Sequence, residues 1–352
     1  MTIDFVPTEF LLMKNKKTTL ISISILLIAI AAFVLWLQST QRLGKVSSII
    51  GEINVGWGIL ALGCMFVYLI FEMIALNRTL KLSNIRIPKR RIVSTTMLGL
   101  FFGNLTPSSS GAQPAQAASL AVGGISLGRS ASALLSKFII FQAVVTLIAA
   151  IMLVFNIAFF KESFGNIALL AIVGFVVHFF VLLLLLAAGL FPKWISTLGN
   201  KSINVLKNFH VIKHPGNARQ KMEHEIDKFA HSFKSLQNHK INLLIIAILT
   251  AIELIAMYSV PFFVICALGN TDANYINVLA ATSFVNLIAT SIPLPGGTGG
   301  AEGSFLLFFK PFVIGENTTF AALIIWRFIT YYLPIILGAP FITDLKPKKK
   351  IK

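Results

Sequence analysis

Charge is scarce in this chain. Only 12% of its 352 residues are Asp, Glu, Lys or Arg, about half the share expected of a soluble domain. Acids are scarcer still, with 13 Asp and Glu against 30 Lys and Arg, so acid–base or metal chemistry has few carboxylates to draw on. The two cysteines, Cys64 and Cys266, both lie in apolar runs. That excludes a disulfide framework and a thiolate metal site, and both read as small apolar residues. Nucleotide-binding and hydrolase signatures are missing too: there is no Walker A loop, no GxSxG, no HExxH and no CxxC. No cofactor is implied. The one sizeable hydrophilic piece, 192–240, is too short for a substantial catalytic domain, and no nucleic-acid partner is expected of it.

Apolar residues are abundant instead. They make up 56% of the chain, with 30 Phe, and several runs reach the roughly 20 residues that cross a bilayer. The chain therefore reads as an all-α polytopic membrane protein forming one integral membrane domain over 1–352. Its net charge of +17 sits on Lys and Arg that mostly flank the apolar spans. Retention of positive loops on the cytoplasmic side explains that pattern, with anionic headgroups as the partner of the excess charge. The N-terminal run Thr18 to Leu37 follows Lys14, Lys16 and Lys17. It is too long for a signal-peptide core and lacks a small-residue cleavage site, so it reads as a first span.

Counting charges along the chain gives a topology. Spans are expected at about 18–37, 57–76, 132–157, 166–191, 241–268 and 318–342. The loop 38–56 and the short loop with Lys161 and Glu162 suit the outside. The loop with Arg78, Lys81, Arg86, Lys89, Arg90 and Arg91 suits the cytoplasm, as do segment 192–240 and the lysine tail 346–352. Both termini then lie inside; the competing topology lets one broken segment cross the membrane, which puts the C-terminal lysines outside. Segment 192–240 has nine Lys/Arg and three Asp/Glu, and Met222, Ile226, Phe229, Phe233 and Leu236 form one stripe of an amphipathic helix. It also holds His210, His214, His224, His231 and His239, whose spacing matches no metal motif and reads as a solvated face.

Two stretches interrupt the apolar pattern. Ser291 to Gly303 holds two prolines, five glycines and Glu302. Thr106 to Ala117 reads Thr-Pro-Ser-Ser-Ser-Gly-Ala-Gln-Pro-Ala-Gln-Ala. Proline removes a donor and glycine loosens the backbone, so helices break at both. The apolar pieces beside them are too short to cross, which predicts re-entrant hairpins at about 92–128 and 276–314, one entering from each side. Both breaks share a Pro-x-x-[Ser/Thr]-Gly core, Pro107–Ser110–Gly111 and Pro295–Thr298–Gly299. Paired broken segments in two halves of a membrane protein mark the binding site of an inverted-repeat transporter. The repeat unit is a span, a hairpin and a span.

Few ionisable residues lie deep: Glu253 within its span, Glu302 in the second break and Arg327 in the last span. Each is costly unpaired in lipid, so each is expected to have a partner. Glu302 with Arg327 is the expected pair, facing one polar cavity, with Glu253 as the rival partner of Arg327. A purely structural lock between two helices is the plainer reading. Glu72 is expected to snorkel to the interface near Arg78, and His178 to be a packed core residue. The breaks offer Gln113, Gln116, Ser108, Ser109, Ser110 and Thr298 for hydrogen bonds. Gly111, Gly296, Gly297 and Gly299 would leave backbone N–H groups free at helix N-termini, which suit a phosphate.

The segment Pro293-Leu-Pro-Gly-Gly-Thr-Gly-Gly-Ala-Glu302 resembles the signature of the lysylphosphatidylglycerol synthase transmembrane, or flippase-like, family. Thr106 to Gln116 is similar to that family's first motif, with Ala112 in place of a glycine, and with Gln113 and Gln116 where many relatives carry Glu and Arg. The resemblance implies a bacterial plasma-membrane protein that translocates or binds an anionic or aminoacylated phospholipid, such as phosphatidylglycerol or lysyl-phosphatidylglycerol. Family members fused to a cytosolic transferase move lysine from lysyl-tRNA to phosphatidylglycerol. Flipping the product outward confers resistance to cationic antimicrobial peptides. By resemblance this chain is the flippase half without the transferase. The alternatives are phosphatidylglycerol lysyltransferase activity, in this chain or with a separate aminoacyltransferase, a polyprenyl-linked glycan as cargo, and a scaffold that transports nothing.

Overall fold

The computed structural model describes residues 43–165, 168–208, 215–237 and 239–345. The expected first span, the lysine tail, His210 and His214 lie outside them. The described residues are helical throughout, apart from short turns and a single bridge between Pro107 and Pro295. Five helical stretches are long and apolar enough to cross a membrane. They are α2 (Val55–Leu82), α5 (Leu127–Phe155), α7 (Ala168–Leu190), α10 (Lys240–Ala267) and a composite run from Glu316 to Leu345. All five fall where hydropathy places them.

Exposure is inverted relative to a soluble protein. Ile59, Phe66, Ile70, Leu147, Val154, Phe180 and Leu244 all point outward, as lipid-facing side chains must when the solvent is hydrocarbon. Small residues and aromatics fill the interior. Ala280, Ala281, Ala321 and Ala322 are fully buried, and Phe160, Phe284, Phe305, Phe308 and Phe309 interlock around them. Close packing rather than water exclusion holds helices together in lipid, which favours small residues at contacts. The N-terminus of α2 meets the C-terminus of α10, where the Asn54 N–H donates to the Ala267 carbonyl at 2.8 Å. The Asn54 side chain caps α2 by accepting from the N–H groups of Gly56 and Trp57.

Each of the two broken segments folds as a pair of packed helices. The first is α3 (Lys89–Leu105) against α4 (Ala112–Val122), and the second is α11 (Tyr275–Ser291) against α12 (Gly300–Phe309). At 17 residues, α3 and α11 are each about 25 Å long, short of a full bilayer core,. The order long helix, helix pair, long helix therefore occurs twice, as α2–α3/α4–α5 and as α10–α11/α12–composite run.

Three connections differ from the sequence reading. The segment read as loop 38–56 contains a helix, α1 (Leu43–Gly51), and the loop with Lys161 and Glu162 is helix α6 (Ile157–Phe164). Segment 192–240 holds two helices, α8 (Pro192–Asn208) and α9 (Pro215–Gln237), packed on one another. The predicted stripe on α9 is partly satisfied within the protein: Met222 rests on Gly199 of α8 and Phe233 on Gly189 of α7. Partner helices supplied the apolar surface that the sequence reading assigned to membrane or bundle.

The composite run is α13 (Glu316–Arg327), a π-helical turn Phe328–Tyr332, α14 (Leu333–Gly338) and a 3-10 end Ala339–Leu345. Pro334 has no N–H to give to the preceding turn, and its ring crowds the carbonyl four residues back, which widens the helix there. Arg327 is the last residue before the widened turn.

Candidate functional site

The two breaks meet. Pro107 and Pro295 form an antiparallel bridge, so the tips of the two hairpins touch though 188 positions apart in sequence. A second link runs beside it. The Asn104 amide donates to the Tyr331 carbonyl at 3.4 Å, and the Tyr331 hydroxyl donates to the Asn104 carbonyl at 3.1 Å. The end of α3 is thereby tied to the π-helical turn of the last run.

The second tip is built by glycine. Gly296, Gly297 and Gly299 all have positive φ, at 60°, 63° and 86°. A Cβ on Gly296 would strike the Tyr331 ring, and one on Gly297 would strike the Ala289 carbonyl. Only glycine takes this backbone at so close an approach. The Thr298 hydroxyl is used inside the turn, donating to the Pro295 carbonyl at 2.6 Å.

Glu302 and Arg327 form the expected pair, with Nη2 of Arg327 2.8 Å from Oε1 of Glu302. The other oxygen, Oε2, accepts from the Gly299 N–H at 2.6 Å. Glu302 thus caps the N-terminus of its own helix α12, where the helix dipole favours a negative charge. Nη1 of Arg327 donates to the Gly296 carbonyl at 3.1 Å. The guanidinium carbon lies 5.2 Å from the Trp326 ring centre and 5.3 Å from that of Tyr331. Phe305, one turn beyond Glu302, stacks on Trp326 at 4.7 Å. The same stack that packs α12 on α13 thus sets the register of the ion pair. Nε of Arg327 is buried and takes no acceptor among the described residues.

The first tip is plainer and neutral. The Gly111 N–H donates to the Thr106 hydroxyl, 2.8 Å, which itself donates to the Phe102 carbonyl, 2.7 Å. Ser108, Ser109 and Ser110 are exposed, Gln113 is half-buried, and Gln116 is buried against Gly99 of α3. Gln116 therefore packs between the limbs of the hairpin.

Two expectations about deep residues are corrected. Glu253 does not approach Arg327 as a partner. It lies with Glu72 and Lys137, where α2, α5 and α10 meet. Nor does Glu72 snorkel: it is buried, and Lys137 Nζ donates to both its oxygens at 2.7 and 2.5 Å. A partner on a neighbouring helix outcompeted the interface. His178 is half-buried and polar in its contacts, which join α5, α7 and α11. Its Nδ1 is 2.9 Å from the Gln142 amide, and its Nε2 is 3.0 Å from the Thr290 hydroxyl and 3.2 Å from the Leu287 carbonyl. Sequence reading missed Asn104, Tyr331 and Lys137. For Lys137, a lysine within an apolar run was a readable signal. For the other two nothing local distinguishes them.

Two surface cavities lie away from the tips. One, of about 490 Å³, is bounded by Glu52, Asn54, Trp57 and Cys266. The other, of about 430 Å³, is an apolar groove between Ile140, Val144, Phe233 and Leu243.

Helices of this length and apolarity, with two broken pairs meeting tip to tip, define a multi-pass α-helical membrane protein. Residues 21–338 match the family described as the lysylphosphatidylglycerol synthase TM region, and the chain belongs to that family. Among its relatives is a UPF0104 membrane protein of Methanothermobacter thermautotrophicus, 24% identical over 343 residues, which cover 93% of this chain and 94% of that protein. A UPF0104 membrane protein of Archaeoglobus fulgidus is 26% identical over 247 residues, covering 69% and 73%.

Proposed function

We propose that this protein translocates an anionic or aminoacylated phospholipid between leaflets, and that the headgroup passes the two joined hairpin tips. The observation that carries the reading is the setting of Arg327. Its charge is held at the tip junction by Glu302, the Gly296 carbonyl and two aromatic rings, and its Nε is left over. An intramembrane arginine beside broken backbone suits a phosphate. Glu302 stands in for that phosphate, since it occupies both Arg327 and the N–H at the start of α12. A phosphodiester headgroup entering the tips would compete for the same two partners, and an aminoacyl ammonium would take up the displaced carboxylate. Acyl chains would stay in lipid beside the exposed apolar faces.

This reading places the protein in a plasma membrane with the basic helices α8 and α9 on the cytoplasmic side. The test is lipid scrambling by purified protein in liposomes, with lysyl-phosphatidylglycerol and phosphatidylglycerol compared. Accelerated movement that is lost in Arg327→Gln and reduced in Glu302→Gln supports it. Lysine transfer from lysyl-tRNA by the same preparation would favour the enzymatic alternative. Folded protein that moves neither lipid would turn attention to polyprenyl-linked cargo or to a scaffold.

A further inference from the structure

A second buried charge cluster lies apart from the tips, and its charges do not balance. Glu72 on α2, Lys137 on α5 and Glu253 on α10 are 6%, 8% and 0% exposed. Lys137 is fully engaged with Glu72 through both carboxylate oxygens. Neither oxygen of Glu253 receives a hydrogen bond from any donor among the described residues, and its carboxyl lies within electrostatic range of Glu72 and Lys137. A buried carboxyl that receives no donor is satisfied in the interior only by carrying a proton of its own. One ammonium also serves two acids, so the cluster is one positive charge short of neutral. An unpaired charge in the membrane interior is strongly disfavoured.

We propose that Glu253, beside the Glu72–Lys137 pair, is a proton-binding site whose one proton the protein loads and releases as it works. The position fits a coupling role. α2 leads directly into the first hairpin and α10 into the second, and the cluster sits where the two long helices pack on one another. Releasing the proton leaves two buried carboxylates on packed helices, whose repulsion bears on the contact between those helices and so on the tips. The other titratable groups near it are Tyr68, within electrostatic range of both carboxyls, and Tyr258, within range of Tyr68. Tyr258 accepts from the Asn286 amide of α11 at 3.1 Å, which adds a polar link from this region to the second hairpin. Proton binding stands on the cluster alone; coupling rests on the translocation reading above.

The experiment uses the full chain in liposomes and reads the two parts separately. Infrared difference spectra across neutral to alkaline pH should show a carboxylic-acid C=O band that disappears in Glu253→Gln and shifts in Glu253→Asp. The Asp variant preserves the charge and guards against a fold lost to the Gln substitution. Absence of the band, or a band unchanged in both variants, overturns the site, as does its removal by sodium ions at constant pH, which would assign a cation instead. Lipid movement is then followed with and without an imposed pH gradient. A one-proton step responds by up to about tenfold per pH unit. The response should be present in the native chain and absent in Glu253→Gln. Movement indifferent to the gradient overturns the coupling. A band present in protein that moves no lipid leaves the proton site standing and removes the translocation reading.

Discussion

Two charge clusters among the described residues are built on opposite plans. At the tips, Glu302 and Arg327 balance one charge against one, and each also binds backbone, at the Gly299 N–H and the Gly296 carbonyl. The Glu302 side chain keeps 26% of its surface exposed. Among the long helices, Glu72, Lys137 and Glu253 set two acids against one base, and Glu253 takes no donor from the backbone or elsewhere among the described residues. A balanced pair tied to backbone holds its geometry without a ligand and can hand its partners to one. An unbalanced triad of side chains is satisfied only when something small and positive joins it. On the proposals above, the first is a place that recognises charge and the second a place that stores it.

The most severe way to break that contrast is Lys137→Met. It leaves both buried acids without a counter-charge, and loss of one partner of a buried pair costs about 3–5 kcal/mol. The thermal midpoint in detergent should fall steeply, and adding Glu72→Gln should recover much of the loss. A single variant as stable as the native chain would show the triad to be solvated. Arg327→Gln should cost less, about 2 kcal/mol for charged hydrogen bonds lost at a partly open site, while abolishing lipid movement. Equal destabilisation by Lys137→Met and Arg327→Gln would erase the distinction drawn between the clusters.

Smaller effects separate the two tips. Gly297→Ala puts a side chain at φ 63° against the Ala289 carbonyl and should cost about 1–3 kcal/mol, the usual range for backbone strain. Gly111→Ala meets ordinary φ, −80°, and crowds the Thr106 side chain. Its cost should be about 1 kcal/mol, the worth of the hydrogen bond that Thr106 would give up. Unfolding midpoints measured side by side decide the order. Gln113→Ala, half-buried at the neutral tip, should stay within about 0.5 kcal/mol in stability. Any large loss of lipid movement in that variant would make the first tip a recognition element equal to the second.

Much of this arrangement was legible in the residues. Long apolar runs located the five described spans because length and hydropathy alone decide what can cross a bilayer. Pro107, Pro293, Pro295 and the glycines located both breaks because their backbone constraints are local. The Glu302–Arg327 pair was legible because an intramembrane charge demands a partner and few were on offer. The partner of Glu253 was not legible. Glu72 lies near a charged loop and in sequence looks like a residue of the interface. Helix α1 was missed because a short helix between spans has too few turns to show a period.

What the sequence determined by itself was therefore the solvent, the five described stretches long and apolar enough to cross, the two breaks and the shortage of acids, all properties of local composition. What only the tertiary structure decided was which distant groups meet: Pro107 with Pro295, Asn104 with Tyr331, and Glu253 with Glu72 rather than Arg327. The reason is physical. Hydropathy sets each helix upright in lipid independently of the others. Rotation and neighbours are set afterwards, by interlocking aromatics, by the antiparallel contact of α2 with α10, and by the need of each buried charge for a counter-charge.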